Sequence, residues 1–507
     1  MSLENKSDIK DQIIKNSFWN IIGSLINKLG GFILVILISR LLMPEGFGRY
    51  SLAITISFFF ITFSDLGINQ TLIRYVSLEF DKKNDESAAH LNYLFKIKFL
   101  ITLIISLILF ISSYPLSFYV FKDSYLFLPL LILSFYVFFI SLSSFFESLF
   151  FVRKKVKYIC IKEFLSFLIK LVAIILIGYF SGIEFKLESI FLSFIGISIL
   201  IFFFDFYLSK HFYPSLFKKT NSKIDKKGIL KFILFINIQT IAMMVLSQAT
   251  ILFLGIFLEE KYIGYYNASW TIITGIAGLL FSFSYTLLPI FASLEEQRFK
   301  EILKRIFNLF FILALPISFG VSLLSKYIIS AIYGYDYLPA SISLSILSFV
   351  IPCIAGTELS LTSLSARYKL KKISMLMLFS AGISLILNYI FIKLFLYISN
   401  EAVITGISIA NLLAWLFCFI SSVIFLRKEL HTSIISLWIL KPIFSCLIMS
   451  ASIHIIMNFF GEMNILSGIF IVLSGIIVYF ASLYLLGGIR KEDIIEIKSF
   501  FKLHPHK

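Results

Sequence analysis

The sequence predicts an all-α polytopic membrane protein with about fourteen transmembrane helices. Three observations carry that reading. The 507 residues are 59% hydrophobic and only 15% charged, against about half apolar and a quarter charged in an ordinary soluble domain. The apolar residues lie in continuous runs of helix length, not in the short alternating segments of a membrane β-barrel. Lysine and arginine fall almost entirely in every second gap between those runs. Together these exclude a soluble enzyme, a disordered chain and a coiled coil.

A spanning helix needs about 20 mostly apolar residues. The first run begins after Lys15 and ends at Arg40, giving a span at 16–40. It is longer than a signal-peptide core and lacks a persuasive cleavage site, so it reads as an uncleaved span. Pro44 and Gly48 then turn the chain into 50–75, and Lys82 and Lys83 separate that from 90–114. Pro115 and Lys122 precede 124–151, and the basic run from Arg153 to Lys157 precedes 159–181. The span 188–209 ends in the longest and most basic loop. Beyond it the same cuts give 232–258, 263–291, 302–325, 338–366, 372–396, 402–426, 434–460 and 464–488.

Charge supports this division. With both termini on the cytoplasmic side, 33 of the 45 basic residues are cytoplasmic. The alternate loops hold seven: Arg40, Arg49, Lys122, Lys186, Lys261, Lys326 and Lys393. That is the positive-inside pattern of a multi-pass protein in the cytoplasmic (inner) membrane. It also explains the net charge of +16 without nucleic-acid binding. The outer loops are too short for a folded domain. The four cysteines stand singly in apolar runs, with no metal-ligand or redox spacing. No metal or cofactor is expected, and no Gly-rich phosphate loop or nucleophile elbow occurs.

The chain also repeats itself. Gly48-Arg49-Tyr50 matches Gly264-Tyr265-Tyr266, and Ser77-Leu78-Glu79 matches Ser293-Leu294-Glu295, both at an offset of 216. The basic run 153–157 resembles 367–371 at an offset of 214. Six spans separate the partners, so both halves share one orientation, as in parallel-repeat transporters. The expected architecture is two pseudo-symmetric six-helix lobes around a central cavity, with two peripheral helices. The lobes would be 1–220 and 221–430, and 431–507 would hold the last two spans and a basic tail.

Several segments resemble a known family. "NKLGGFILVILISRLLMPEGFGRYSLA" at 27–53 and "SDLGINQTLIRYVS" at 64–77 resemble the opening of Wzx-type polysaccharide flippases. The likeness continues in "FLGIFLEEKYIGYYNASW" at 253–270, "LLPIFASL" at 287–294, "YDYLPASISLSIL" at 335–347, "ARYKLKK" at 366–372 and Asn388. It implies the multidrug/oligosaccharidyl-lipid/polysaccharide exporter fold. It also implies transport, without enzymatic activity, of polyprenyl-pyrophosphate-linked oligosaccharide repeat units from the inner to the outer leaflet, as in O-antigen, capsule or exopolysaccharide assembly. A polysaccharide polymerase or ligase would be the protein partner, beside the lipid bilayer itself. A lipid II flippase and a drug or cation antiporter of the same fold remain open, as does, further off, a membrane-bound polymerase or ligase.

Charges inside hydrocarbon are costly and usually face a protein interior or a wet cavity. In the first span Asn16, Asn20, Gly23, Asn27 and Gly30 share one helical face. Lys28 beside them lies too deep to snorkel to either surface. Lys170 is mid-depth in the fifth span, and Arg74 follows Gln70 by one turn in the second. With Gln248, Arg40 and Arg49, these form the expected substrate-binding set, the cations holding pyrophosphate. Gln239, Tyr266, Asn267 and Trp270 are further candidates to meet sugars. Asp65, Glu147 and Glu358 are the expected ion-coupling carboxylates. Asp205 is placed near the interface, with no role of its own. At the 216 offset Lys28 corresponds to Met244, so fixed mid-depth charge is expected in the first lobe alone.

Overall fold

The computed structural model describes residues 3–79, 84–152, 155–180, 182, 186–217, 226–281, 287, 291, 294–367, 370–431, 437–460 and 465–488, without some side chains in the flanking turns. Every element among the described residues is a helix. By length and apolarity ten of these helices can cross a membrane, or eleven if one bent pair counts as a span.

The chain opens with α1 (Leu3–Asp65), interrupted at Met43, whose φ of 58° and ψ of 174° are not helical. Pro44 follows and cannot donate the next helical hydrogen bond. The apolar stretch Ile22–Val76 is 55 residues long. As one straight helix it would extend about 80 Å, far more than a hydrocarbon core of ~30 Å. The break at Met43 cuts it into segments of spanning length. A second bend falls at Leu66 and Gly67, both at positive φ, before α2 (Ile68–Glu79). Gly67 has φ of 74°, and a β-carbon there would lie 3.0 Å from Ile236, so both backbone and space favour glycine.

Then come α3 (Asn84–Pro115), α4 (Phe127–Val152), α5 (Val156–Phe180) and α6 (Lys186–Phe212). They pack on one another and on α1. Next are α7 (Lys226–Phe257), α8 (Glu260–Phe281), α9 (Glu296–Leu323) and the short α10 (Ser325–Ile332). The pair α11 (Ala340–Leu347) and α12 (Val350–Ala366) is bent by 41°. After it run α13 (Leu370–Leu396) and α14 (Asn400–Leu430), which pack together, with α13 also against α7. The last two, α15 (Leu440–Phe460) and α16 (Ile465–Leu485), pair with each other and lean on α9. Tyr479 of α16 donates to the Ile312 carbonyl there at 2.9 Å. Large apolar side chains cover the outside, for example Ile111, Leu200 and Ile477, as a lipid-facing surface requires.

The most extensive contact joins α1 to α8, and it uses the sequence repeat directly. A β-carbon on Gly48 would fall 1.8 Å from the Glu260 carbonyl oxygen, and one on Gly264 would fall 2.1 Å from that of Pro44. Glu260 and Gly264 are Pro44 and Gly48 displaced by 216. One helical turn on, Asn267 donates to the Ser51 hydroxyl at 2.7 Å, again 216 residues apart. Each segment thus meets the other through the same positions, the geometry of a self-complementary two-fold contact. Glycine at both crossing points lets the backbones touch.

This end of the bundle is tied further. Tyr337 donates to the Ser39 carbonyl at 2.8 Å. Its ring packs on Phe47 and Tyr265. The link from α3 to α4 makes a π turn at Leu116–Val120 and a 3-10 turn at Ser124–Leu126. Asp123 caps the latter, accepting from the Tyr125 amide at 3.0 Å.

Candidate functional site

At the other end of α1 a cavity of about 330 Å³ opens between α1, α4 and α5. Trp19, Ser24, Asn27 and Lys28 line it from α1, Glu147 and Phe151 from α4, and Cys160 and Glu163 from α5. Its walls come from the polar face of α1 expected to matter. That face is also a close helix contact. A β-carbon on Gly23 would sit 3.4 Å from the Cys160 backbone, and one on Gly30 would strike the Phe167 ring at 2.7 Å. Between them, Asn27 donates to Glu163 at 3.0 Å. The small residues draw α5 close, and the cavity lies beside the seam.

Lys28 lines this cavity and donates to the Gly278 carbonyl of α8 at 2.6 Å. Glu358 of α12 is the carboxylate that acts on it electrostatically. Lys28 links the first half of the chain to the second.

Glu147 belongs to a cluster that the sequence reading missed. Lys162, with its side chain 6% exposed, is 2.5 Å from Glu147, 3.4 Å from Glu163 and 3.8 Å from Asp205. Ser143 donates to Asp205 at 2.5 Å. Asp205, expected to have no role of its own, is buried within this cluster. A buried ammonium is tolerable when carboxylates surround it.

Asp65 is also paired. Lys98, fully buried, reaches it at 3.0 Å and the Ser64 carbonyl at 3.3 Å. By sequence Lys98 reads as one of the cytoplasmic charges flanking the loop before α3, but it lies well inside that helix.

The remaining candidates lie apart from the cavity lining. The Lys170 ammonium is 5.6 Å from the Phe194 ring centre. Gln70 and Arg74 are exposed on α2, with Arg74 5.9 Å from the Tyr75 ring centre. Gln248 is half-buried on α7. Asn20 lies on α1, but its side chain is outside the described residues, as is that of Asn16. Arg40 donates to the Ile332 and Ala331 carbonyls at 2.7 and 2.6 Å, capping α10. Arg49 is 2.9 Å from both Glu45 and Asp123 and stacks over Tyr125 at 4.6 Å. Both arginines thus have structural partners.

The residues expected to meet sugars from the second half are mostly occupied. Tyr266 and Trp270 are buried. Asn411 donates to the Tyr266 hydroxyl at 2.5 Å, and Asn267 is held by Ser51. Among the described residues, no group of three or more His, Cys, Asp and Glu is placed to hold a metal ion.

Residues 13–295 match the family model of the polysaccharide biosynthesis proteins. The chain belongs to this polysaccharide biosynthesis protein family. No curated protein matches it closely enough in sequence to count as a relative. Its fold is that of solved transporters. The lipid II flippase MurJ in an inward closed conformation superposes with a TM-score of 0.73 at 19% identity, covering 91% of this chain and 97% of that one. An inward-facing multidrug resistance MATE family transporter of the MOP superfamily superposes with a TM-score of 0.61 at 15% identity, covering 80% and 96%. The family member is thus a multi-pass membrane protein with the MurJ and MATE fold.

Proposed function

We propose that this chain is a flippase moving polyprenyl-pyrophosphate-linked oligosaccharide repeat units across the cytoplasmic membrane for surface polysaccharide assembly. The family supports the polysaccharide connection, and the fold supports transport. The observation that carries the reading is Lys28. It lines a cavity part-way along a spanning segment and spends its ammonium on a backbone carbonyl of the opposite half. A pyrophosphate entering the cavity offers Lys28 a stronger, charged acceptor. Taking that bond would free Gly278 and loosen one tie between the halves. Binding would then be coupled to the rocking that alternating access requires.

The rest of the proposal follows the sequence. Crossing twice through α1 and once through the bent pair gives fourteen spans, with the termini cytoplasmic. Two six-helix lobes divide near 220, and 431–507 lies at the periphery. The Gly48–Gly264 crossing then closes the outer end, and the cavity opens inward. Lys28 and Asn27 are the nearest contacts to cargo. Lys170, Arg74, Gln70, Gln248 and Asn20 would come into play as the lobes move, with Arg40 and Arg49 on the exit side. Glu147, Glu358 and Asp65, each set against a lysine, are the groups whose protonation could couple transport to an ion.

The test is the lipid-linked glycan pool of a deletion strain, with leaflet access probed by a membrane-impermeant glycosidase. Complete repeat units trapped on the inner leaflet are expected. Complete units reaching the outer leaflet unpolymerised would place the defect in a later enzyme and refute the reading. The MurJ likeness keeps lipid II as the second cargo, and rescue of a strain depleted of its lipid II flippase would establish that reading instead.

A further inference from the structure

Resting on the flippase reading, we infer that the cavity between α1, α4 and α5 is a saccharide subsite selecting sugars without a carboxylate, with Glu147 and Glu163 as its specificity-determining residues. Glu147 and Glu163 line it, their side chains 25% and 24% exposed. The cation that balances them does not line it: Lys162 is 6% exposed and lies beneath, with Asp205, 2% exposed, behind it. Three carboxylates thus surround one ammonium, and the members of the cluster that line the cavity are the two glutamates. Glu147 meets Lys162 through Oε2, and Glu163 is held by Lys162 through Oε1 and by Asn27 through Oε2.

The other cations nearby leave this wall acidic. Lys28 directs its ammonium to the Gly278 carbonyl. Lys170 sits over Phe194. Lys157 stands outside the lining, 5.8 Å from the Trp19 ring centre.

Such a wall suits hydroxyl and ammonium groups, which donate to carboxylate oxygens, and repels a second carboxylate strongly where water is scarce. Trp19 supplies an apolar face at the same cavity, as sugar C–H faces require. The volume, about 330 Å³, is near the lower end for ligand pockets. It holds part of a lipid-linked oligosaccharide, so the subsite reads one portion of the cargo and leaves the pyrophosphate to the deeper Lys28.

The test uses the full-length protein in lipid nanodiscs. The probes are short-chain polyprenyl pyrophosphates carrying glucose, glucosamine or glucuronate, ranked by competition binding. The expected result is glucuronate weaker than glucose by about tenfold or more, with glucosamine at least equal to glucose. That ratio should shrink in Glu163→Gln. It should shrink further in Glu147→Gln combined with Glu163→Gln, which leaves the buried Lys162 ammonium balanced by Asp205 alone. Equal wild-type binding of glucose and glucuronate overturns the inference, as does an unchanged ratio in folded variants. Failure of all three probes to bind overturns the flippase reading itself.

Discussion

Lys28 and Gly278 stand 250 residues apart in sequence and share a 2.6 Å hydrogen bond. It joins the first arm of α1 to the last turn of α8. The donor is the Lys28 ammonium, at the end of a long side chain. Lys28→Ala is expected to abolish export of lipid-linked units at normal membrane abundance. Lys28→Arg, which keeps charge and donors, should retain part of it. Surface polysaccharide per unit of immunodetected protein is the measurement, and wild-type export by the alanine variant would remove Lys28 from the mechanism.

The crossing of α1 and α8 makes a prediction about stability. Gly48→Ala and Gly264→Ala each place a methyl group inside a carbonyl oxygen of the facing backbone. The helices must separate, and losses of at least ~2 kcal/mol are expected from overpacking and lost contacts. Gly31 meets nothing within 4 Å, so Gly31→Ala is the control and should leave the melting temperature in detergent unchanged or slightly raised.

Asp65 and Lys98 predict a strong asymmetry between single and double replacement. Asp65→Asn leaves the fully buried Lys98 without its counter-charge, at a cost of about 3–5 kcal/mol. Replacing both, as Asp65→Leu with Lys98→Met, removes the two charges together and should recover most of that loss. Thermal unfolding of the parent, Asp65→Leu, Lys98→Met and the double variant completes a double-mutant cycle. Equal destabilisation by the single and double variants would show that the pair does not act as a unit.

Arg40 is exposed yet bonded to two carbonyls at the end of α10. Its contribution to stability is small, about 1 kcal/mol or less given its contact with solvent. The clearer effect of Arg40→Ala should be local. A cysteine introduced at Ile332 is expected to react faster with a membrane-impermeant maleimide in that variant than in the parent. No change in rate would show that α10 is held by its packing alone.

Much of this architecture could be read from the sequence. Hydrophobic run length reports helices directly, and Pro44 with Gly48 marked the turn between the first two spans. The offset of 216 located the contact that the structure forms, because glycines at matching places are needed where two backbones meet. The ion pairs were less legible. Asp65 was visible as a mid-membrane charge, but its partner Lys98 is 33 residues later and reads as loop charge. Lys162 drew no notice because its partners come from three helices, and which charges meet depends on how each helix is rotated about its axis. Asn27 was named for other reasons, and only packing brought it to Glu163.

The crossing at Gly48 and Gly264 also bears on the origin of the chain. Cut the sequence between its halves, and the contact becomes one that two copies of a half-length protein could make as a homodimer, each glycine meeting its counterpart's neighbour. Fusion would preserve that interface, since a change on one side must be answered on the other. The cavity carries no such constraint. There Lys28 lines the cavity, whereas its counterpart 216 residues on is the buried Met244, so the two halves could diverge in charge at this position while their meeting point stayed alike.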